Sequence, residues 1–505
     1  MRLRLRIDGR RPRRWHAALA GRIAAMPGLD IELDARPGPE AWPDNADLLF
    51  RLESLVNRLP ATGASAPAPS GALAAHPPPS GRPPDLILDL CGDAEGPEGA
   101  RIWRLAFDGM PGEAGLLASL LAGRVPLATL QEGGERVRAG HLGTEVPGRL
   151  VTAFEDGLAR TTTLILAALA QDRPRPAASG APPPGSPEAA CPRPALAPRV
   201  ARMLAMAVVQ RLYHLCYRAP HWRTGWRRLD GPDLVELRRH PESGWRVLPD
   251  DGQRFYADPF PIDHDGATWL FVEEFIHGIQ KGVISAAPFG PDGAAGPLVP
   301  VLEESHHLSY PFVFVREGSA WMIPESGAAG TIDLYRASAF PGGWVKEATL
   351  VSGLVASDAT LLEQDGRWWM FATVRDAEPG APLGTGSYSD ALHLWSAPDF
   401  RGPWAPHARN PVLIDTTSGR PAGRIVRRGE SLIRPVQDCA GGYGRALSLA
   451  RIDRLDDEGF AQTVEATIRP GPAWPGTRLH TLNRSRNLEF IDGSARAPRF
   501  GRPRG

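Results

Sequence analysis

Short strands with alternating polar and apolar residues, separated by turns, fill the chain from about residue 222 onward. Three stretches share one register: each opens on Asp258, Tyr310 or Asp358, and a tryptophan follows nine residues after the third residue of the stretch. Further copies open near residues 421 and 480. A repeat of roughly 50 residues built from short strands predicts a β-propeller, here with five blades. Residues 222–257 are expected to supply the strands that close the ring.

The first 171 residues show a different pattern, in which short apolar runs alternate with segments of helical spacing. The pattern predicts strands at 3–7, 29–33, 47–50 and 85–90, and helices at 15–25, 113–122 and 153–170. Alternating strands and helices favour an α/β layer of the Rossmann type. The fold class is therefore multidomain: an α/β domain at 1–171, a Pro- and Ala-rich linker at 172–198, a linking helix at 199–221, and an all-β five-bladed propeller at 222–495.

The helix predicted at 200–217 is amphipathic and carries Arg211 and His214. A helix of this kind can lie on a membrane surface, so peripheral membrane contact through 200–217 is one interpretation. The sequence favours the other, in which the helix packs between the two domains.

Composition limits the kinds of partner and compartment that are expected for this protein. The 57 basic residues balance the 57 acidic ones, and the arginines are spread out without interleaved aromatic residues, which argues against nucleic acid. Four distant cysteines without a CxxC pair, the lack of a secretion signal and the lack of a long apolar run favour the cytoplasm and no transmembrane segment. His306 and His307 lack the third ligand of a metal motif, so neither a metal nor a cofactor is expected.

Equivalent positions of the repeats should face one another around the propeller axis. One ring would hold Asp258, Tyr310, Asp358 and Pro421, and the next Glu273, Glu325, Thr373 and Val436. Carboxylates brought together in this way are costly to bury unless they are paired or used, which makes the channel a candidate functional site. Glu325 is the clearest case, because a strand as apolar as its own rarely carries an unpaired carboxylate.

Ordered motifs in the second half resemble a known family. They include Ala257-Asp-Pro-Phe260, His307-Leu-Ser-Tyr-Pro311, Met322-Ile-Pro-Glu-Ser326, Arg420-Pro-Ala-Gly423, Arg434-Pro-Val-Gln-Asp438, Tyr443-Gly444 and His480-Thr-Leu-Asn483. The family is that of the N-terminal domain of plant glucosamine inositolphosphorylceramide transferases and their bacterial relatives, and the resemblance covers roughly 225–493. In the plant proteins the transferase chemistry is assigned to a separate C-terminal domain.

More distantly, the propeller is similar to those of glycoside hydrolase families 32, 43, 62 and 68. The resemblance implies that Asp258 is the base or nucleophile, Glu325 the acid, and Asp358 the carboxylate that stabilises the transition state. The order departs from the usual Asp, Asp, Glu, since Glu325 precedes Asp358 and Thr373 holds the third-blade acid position. The expected substrate-binding residues are His307, Tyr310, Arg420, Arg424, Arg434, Gln437, Asp438 and His480.

Residues 1–171 resemble formyltransferase-type α/β domains, through the strand at 86–90 and Ile102-Trp-Arg-Leu-Ala-Phe-Asp-Gly109. That family uses an Asn and a His where this strand has neither, so the resemblance implies a non-catalytic domain. It could bind a partner or a nucleotide sugar.

These observations predict a carbohydrate-active enzyme, a glycosyltransferase or a glycosidase, that acts on a glycosyl unit in the synthesis or modification of a cell-surface glycan or glycolipid. The arginines point to a sugar or nucleotide-sugar substrate bearing an anionic group. The alternative is a non-catalytic propeller that binds a glycan or nucleotide sugar and assists a separate transferase.

Overall fold

The computed structural model describes residues 1–39, 42–60, 63–97, 100–172, 191–290, 292–375, 386–472, 474 and 476–500. The chain divides near residue 207 into two compact units. Most of the linker predicted at 172–198 lies outside the described residues. Within the described ranges, no helix is both long and apolar enough to pass through a membrane.

The N-terminal unit is a mixed sheet with helices. The strands are Arg2–Arg6, Asp30–Asp34, Leu86–Asp89, Arg101–Phe107, Met110–Pro111, Leu127–Glu132 and Glu135–His141, and the helices are Arg14–Ala24, Ala46–Asn57, Gly112–Leu121 and Leu150–Ala170. The first, second, third and fourth strands pair in parallel, and the sixth and seventh continue the sheet in antiparallel fashion. The α/β character is confirmed.

One predicted strand of this unit is wrong. Residues 47–50 belong to the helix Ala46–Asn57, whose buried residues are Ala46, Leu49, Phe50 and Glu53. That spacing of three and four is helical, whereas a four-residue window shows only a short apolar run, which fits either structure.

The helix Leu196–Cys216 contains the division between the units, and the strand that follows it, Tyr217–Arg218, pairs with Ala497–Pro498. Five sheets follow. Their strands are, first, Arg254–His264, Ala267–Ile276, Lys281–Gly290, Gly293–Ala294 and Val299–Leu302; second, Ser309–Arg316, Ser319–Glu325, Thr331–Ala339 and Gly342–Ser352; third, Val355–Gln364, Arg367–Arg375, Ala391–Ala397, Ala405–Pro406 and Leu413–Ile414; fourth, Val426–Arg428, Ser431–Asp438, Ala446–Asp456 and Gly459–Ile468; fifth, Thr481–Ser485, Leu488–Ser494, Trp222–Arg228 and Arg246–Val247. The five-bladed propeller is confirmed.

The ring closes in the fifth sheet. Trp222–Arg228, from the start of the propeller, pairs antiparallel with Leu488–Ser494, from its end. The prediction that residues 222–257 close the ring is therefore confirmed. Closure of this kind joins distant parts of the chain by backbone hydrogen bonds and removes an exposed sheet edge.

Two-residue turns fix the register of the inner hairpins. Asp265-Gly266 and Asp365-Gly366 both have positive φ at each residue, 48° and 79° in the first and 53° and 73° in the second. Such turns match the right-handed twist of the paired strands. Because the turn sets the register, it decides which side chains of each hairpin face the axis.

Candidate active site

The same irregularity recurs on the inner strand of three blades. The pairing shifts between Ala257 and Phe260 in the first blade, and the second and third blades shift at the equivalent positions. Each shift places two residues opposite one, and its first residue has positive φ: 48° at Asp258, 42° at Tyr310 and 58° at Asp358. Non-glycine residues rarely adopt this conformation, and bulges of this type re-aim side chains beside active sites.

Asp258 is held by contacts with two other blades. Its Oδ2 accepts the backbone N–H of Tyr310 at 3.1 Å, and its Oδ1 accepts the hydroxyl of Thr481 at 2.9 Å. Nε2 of His480 lies 3.4 Å from Oδ1. The Asp258 backbone N–H donates to Oδ2 of Asp492 at 2.7 Å. The carboxylate is thus fixed in one orientation by the first, second and fifth blades.

His480 links Asp258 to Asp492. Its Nδ1 lies 2.7 Å from Oδ1 of Asp492 in an ionic contact that lacks the alignment of a hydrogen bond. Burial alone would lower the pKa of His480, but the carboxylates of Asp492 and Asp258 raise it above the usual value. All three side chains are buried, so the imidazolium form of His480 compensates two carboxylates that water does not reach.

Arg420 connects the second and third blades. Its Nε donates to Oδ2 of Asp358 at 2.6 Å, and its Nη2 reaches Oδ1 of Asp358 at 3.3 Å and Oε2 of Glu325 at 3.5 Å. Gln437 donates to Oδ2 of Asp358 at 2.9 Å. The ring of Tyr443 lies 4.7 Å from the Arg420 guanidinium carbon. One buried guanidinium therefore serves two acids.

Glu273 completes the group of acids. Its Oε1 lies 3.4 Å from Nε2 of His307, while Nδ1 of His307 accepts the N–H of Gly282 at 2.9 Å. That second contact leaves the proton on Nε2, where it can be shared with Glu273. Burial and the neighbouring His306 lower the pKa of His307, which favours the neutral ring.

The acids of the site raise one another's pKa values. Burial raises the pKa of Glu273 and of Glu325 well above the usual value, and the neighbouring carboxylates, Asp258 and Asp358 among them, add to the shift. Burial also raises the pKa of Asp258, to about 6, against the lowering effect of His480. Burial and the neighbouring charges therefore favour the protonated form of both glutamic acids, and acid–base catalysis requires one group that keeps its proton beside one that gives it up.

The acids Asp258, Glu273, Glu325 and Asp358, with the side chains that contact them, form one cluster. Several residues predicted from the sequence belong to it. Asp258, Glu325 and Asp358 lie in it together with four of the predicted substrate-binding residues, namely His307, Arg420, Gln437 and His480. Tyr310 contributes its backbone N–H, while its hydroxyl is used elsewhere, at 2.8 Å from Thr360 Oγ1 and 2.7 Å from the N–H of Gly423.

Three predicted binding residues lie apart from the cluster. Arg434 donates to the carbonyls of Ser418 and Gly419 and to the side chain of Gln462, and Asp438 accepts the N–H of Ala440 and pairs with Arg445. These contacts hold loops in place. Among the described residues, the hydrogen bonds of Arg434 go to carbonyl and amide oxygens and not to a carboxylate.

Arg424 lies on the wall of another cavity. Its guanidinium donates to the carbonyl of Val313 and stacks 5.2 Å from the ring of Phe260. Burial lowers its pKa to about 10. The cavity has a volume of about 300 Å³ and is lined by Val235, Arg424, Ile425, Val426, Arg427, Arg428, Leu482, Asn483, Arg484 and Glu489. None of the four clustered acids belongs to that wall.

The fourth blade differs from the register predicted for it. Ile433 pairs with Val426 as Trp269 pairs with Ile262, so Gln437, not Val436, takes the position of Glu273. A slip of one residue exchanges the two faces of a strand. This blade lacks the tryptophan that anchors the count in the first three, and the prediction was wrong by that one residue.

Sequence reasoning placed Glu273 in the channel without a role, and it missed Asp492 and Tyr443. A signal for two of them was available: Glu273 follows Leu-Phe-Val and Asp492 follows Phe-Ile, so each interrupts an apolar run, as Glu325 does. No equivalent pattern marks Tyr443, which packs against Trp222 and His480 with ring centroids 5.6 and 5.2 Å away.

Asp258, His480 and Asp492 also bring one nitrogen and two carboxylate oxygens within 4.8 Å of one another. Such a set could ligate a divalent cation. In the present arrangement the imidazole of His480 contacts both carboxylates itself.

Residues 249–491 match the family model described as glucosamine inositolphosphorylceramide transferase 1, N-terminal. The transferase of that name from Oryza sativa subsp. japonica is 33% identical over 240 residues, 45% of this chain and 31% of the rice protein. The Arabidopsis thaliana protein is 32% identical over 253 residues, 47% of this chain and 32% of the relative. The match thus spans about a third of the length of these curated relatives, and the resemblance predicted for the propeller is confirmed.

Among solved structures, a GH43_1 enzyme from Xanthomonas citri is 12% identical and covers 49% of this chain and 89% of that chain, with a TM-score of 0.35. A family 117 glycoside hydrolase from Zobellia galactanivorans is 14% identical and covers 54% and 90%, with a TM-score of 0.34. A likeness at this level carries nothing about the chemistry of this chain.

Proposed function

We propose that the propeller is a carbohydrate-active enzyme that transfers or cleaves a glycosyl unit of a glycolipid or cell-surface glycan. One observation carries the proposal: four acids from three blades share a single electrostatic environment with one arginine and one histidine. Glycosyl chemistry needs a protonated acid and an ionised base or nucleophile on either side of the scissile bond.

Asp258 is the base or nucleophile in this proposal. It is the acid whose pKa, about 6, leaves it ionised at neutral pH, and Tyr310, Thr481 and His480 fix its orientation. A carboxylate with locked geometry needs little reorganisation when the reacting carbon approaches.

Glu325 is the acid, and Glu273 is the second candidate for this role. Both have raised pKa values, and both side chains are less deeply buried than that of Asp258: 18% and 10% exposed, against 6%. The substrate enters from solvent, so its leaving group meets the acids nearest the opening. Asp358, held by Arg420, stabilises the positive charge that develops on the sugar ring.

The substrate carries an anionic group. The relatives are named glucosamine inositolphosphorylceramide transferases. The cavity beside Arg424 also presents Arg427, together with Arg428 and Arg484, which both pair with Asp233. Guanidinium groups match phosphate geometry. We therefore place a phosphate of the acceptor or the donor at that cavity.

The alternative is a binding module. The matched region is only the N-terminal part of the relatives, so a propeller that recognises the lipid-linked sugar for a separate transferase is the second candidate function.

Asp258→Asn separates the two functions. Purified full-length chain is assayed for transfer from a panel of nucleotide sugars to an inositol-phosphate lipid, and binding of each is measured by calorimetry. An enzyme loses about 10²–10⁴-fold in turnover with binding retained. Asp265→Asn, in the exposed turn of the same hairpin, is the matched control and keeps full turnover. Binding by the unaltered chain without turnover of any donor would favour the module.

For the N-terminal unit we propose a non-catalytic domain descended from the formyltransferase type. The parallel strands support this proposal, and the strand at 101–107 carries neither Asn nor His. Binding and turnover of a folate cofactor by the full chain would contradict it.

A further inference from the structure

The helix Leu196–Cys216 has no buried side chain along its 21 residues. Four large apolar residues, Leu204, Val208, Leu212 and Leu215, follow one another at intervals of four, four and three, and therefore form one stripe. Their exposed fractions are 49%, 57%, 56% and 63%. A continuous apolar stripe left in water on a helix marks an interaction surface.

One edge of this side of the helix is less exposed. Val200, Met203 and Ala207 are half-buried, whereas the stripe residues are all exposed. The stripe is therefore the more solvent-exposed part of this apolar side.

Charge indicates what covers the stripe. From Cys191 onward the first acidic residue is Asp230, whereas the helix itself carries Arg199, Arg202 and Arg211. Arg202 and Arg211 are exposed and make no contact with a carboxylate among the described residues. Long basic side chains beside an apolar face reach past it to phosphate groups, while the face enters the acyl region.

Aromatic residues mark the C-terminal end of the helix. Tyr213 and Tyr217 stack with ring centroids 5.0 Å apart and an interplanar angle of 24°, and both are half-buried. Tyrosine favours the level at which lipid headgroups meet acyl chains. The strand that follows, Tyr217–Arg218, is fixed to the propeller by pairing with Ala497–Pro498.

We propose that the helix Leu196–Cys216 lies in the surface of an anionic lipid bilayer, with Leu204, Val208, Leu212 and Leu215 in the acyl region and Arg202 and Arg211 on lipid phosphates. This inference stands on the helix alone and does not depend on the proposed function. It gives the chain a peripheral contact with the kind of surface in which lipid-linked sugars reside.

The test is co-sedimentation of the full-length protein with vesicles of phosphatidylcholine alone and of phosphatidylcholine mixed with phosphatidylglycerol. We expect binding to the anionic vesicles, reduced by sodium chloride because surface charge is screened. Arg202→Gln with Arg211→Gln should weaken the partition coefficient by roughly 10- to 30-fold, since each basic residue near an anionic surface contributes about fivefold. Val208→Asp with Leu212→Asp should abolish binding.

Matched controls come from exposed positions of the helix Ala46–Asn57. Leu55, 76% exposed, is changed to Asp, and the exposed Arg51 to Gln; both variants should bind as the unaltered protein does. Circular dichroism confirms that each variant is folded. Absence of binding to anionic vesicles overturns the proposal, and so does equal binding to neutral ones. Sedimentation velocity provides a third way to refute it: a dimer lost in Val208→Asp with Leu212→Asp, without vesicle binding, would make a second copy of the chain the occupant.

Discussion

Both units bury acids, but they do so in opposite ways. In the N-terminal unit, Asp89 accepts three backbone N–H groups, from residues 91, 92 and 94, at 2.8 to 2.9 Å. Glu53 accepts the first two N–H groups of the helix Leu150–Ala170 at 2.9 and 2.6 Å. Each carboxylate satisfies donors that would otherwise be orphaned, and its role is to hold the backbone.

In the propeller the acids face other acids. Glu273 and Glu325 are surrounded by the charges of Asp258 and Asp358; Arg420 offsets part of this effect at Glu325, and Glu273 contacts the imidazole of His307. The comparison teaches that burial by itself does not identify a functional carboxylate. What identifies one is a neighbourhood that works against its charge, because such a site costs stability and persists only where it is used.

The largest effect is expected at Arg420. Arg420→Ala leaves Asp358 and Glu325 buried without their shared counter-charge, and breaking a buried pair in this way costs about 3–5 kcal/mol of unfolding free energy. Urea denaturation followed by tryptophan fluorescence measures the change. The exposed pair of Arg316 with Glu363 is the control, since Arg316→Ala should cost no more than about 1 kcal/mol. Equal losses in the two variants would mean that the cluster is as solvated as the surface.

The next largest effect on stability is expected at Glu113, in the N-terminal unit. Glu113 pairs with Arg13 at 2.6 Å and accepts the indole N–H of Trp15. Glu113→Gln weakens both contacts, and we expect a loss of about 1–3 kcal/mol. Turnover per folded molecule should not change, because this acid holds structure only. Glu135→Gln, at an exposed position of the same sheet, should leave the midpoint of unfolding where it was. A fall in turnover with unchanged stability would give the N-terminal unit a part in the chemistry.

The smallest effect is a pH dependence. Asp258, with a pKa of about 6, must be ionised to act, so kcat/KM should fall about tenfold for each pH unit below 6. It should fall again at higher pH, as Glu325 and Glu273 lose the protons that burial helps them keep. Because the sites interact, the measured values belong to the cluster as a whole.

On the acidic side, the titration of Asp258 changes stability with pH in the direction opposite to its effect on activity. The pKa of Asp258 is raised from 3.8 to about 6 on folding, so the folded state binds this proton more tightly than the unfolded chain does. The contribution of Asp258 to stability is therefore present below pH 3.8 and lost as the pH rises through about 6. Asp258→Asn should remove this part of the pH dependence, and a profile that the variant leaves unchanged would contradict the raised pKa.

The sequence predicted the blades well because their turns are local. A pair such as Asp265-Gly266 adopts its conformation from its own two residues, and the count from turn to tryptophan then places Asp258 and Glu325 on the axis. Counting from turn to tryptophan failed in the fourth blade, where no tryptophan marks the register. There Gln437 holds the position that was predicted for Val436. Counting also gave no partner to Glu273 or Asp492, although both interrupt apolar strands.

What the sequence determined by itself was the repeat, the class of each unit and the acids that the repeat aligns, since periodicity and turn chemistry act over a few residues. Only the tertiary structure decided which charges meet. Asp258 finds His480 and Asp492 more than 200 positions away because the ring closes with strands from both ends of the propeller. Contacts across that closure depend on the geometry of all five blades, and no local pattern encodes them.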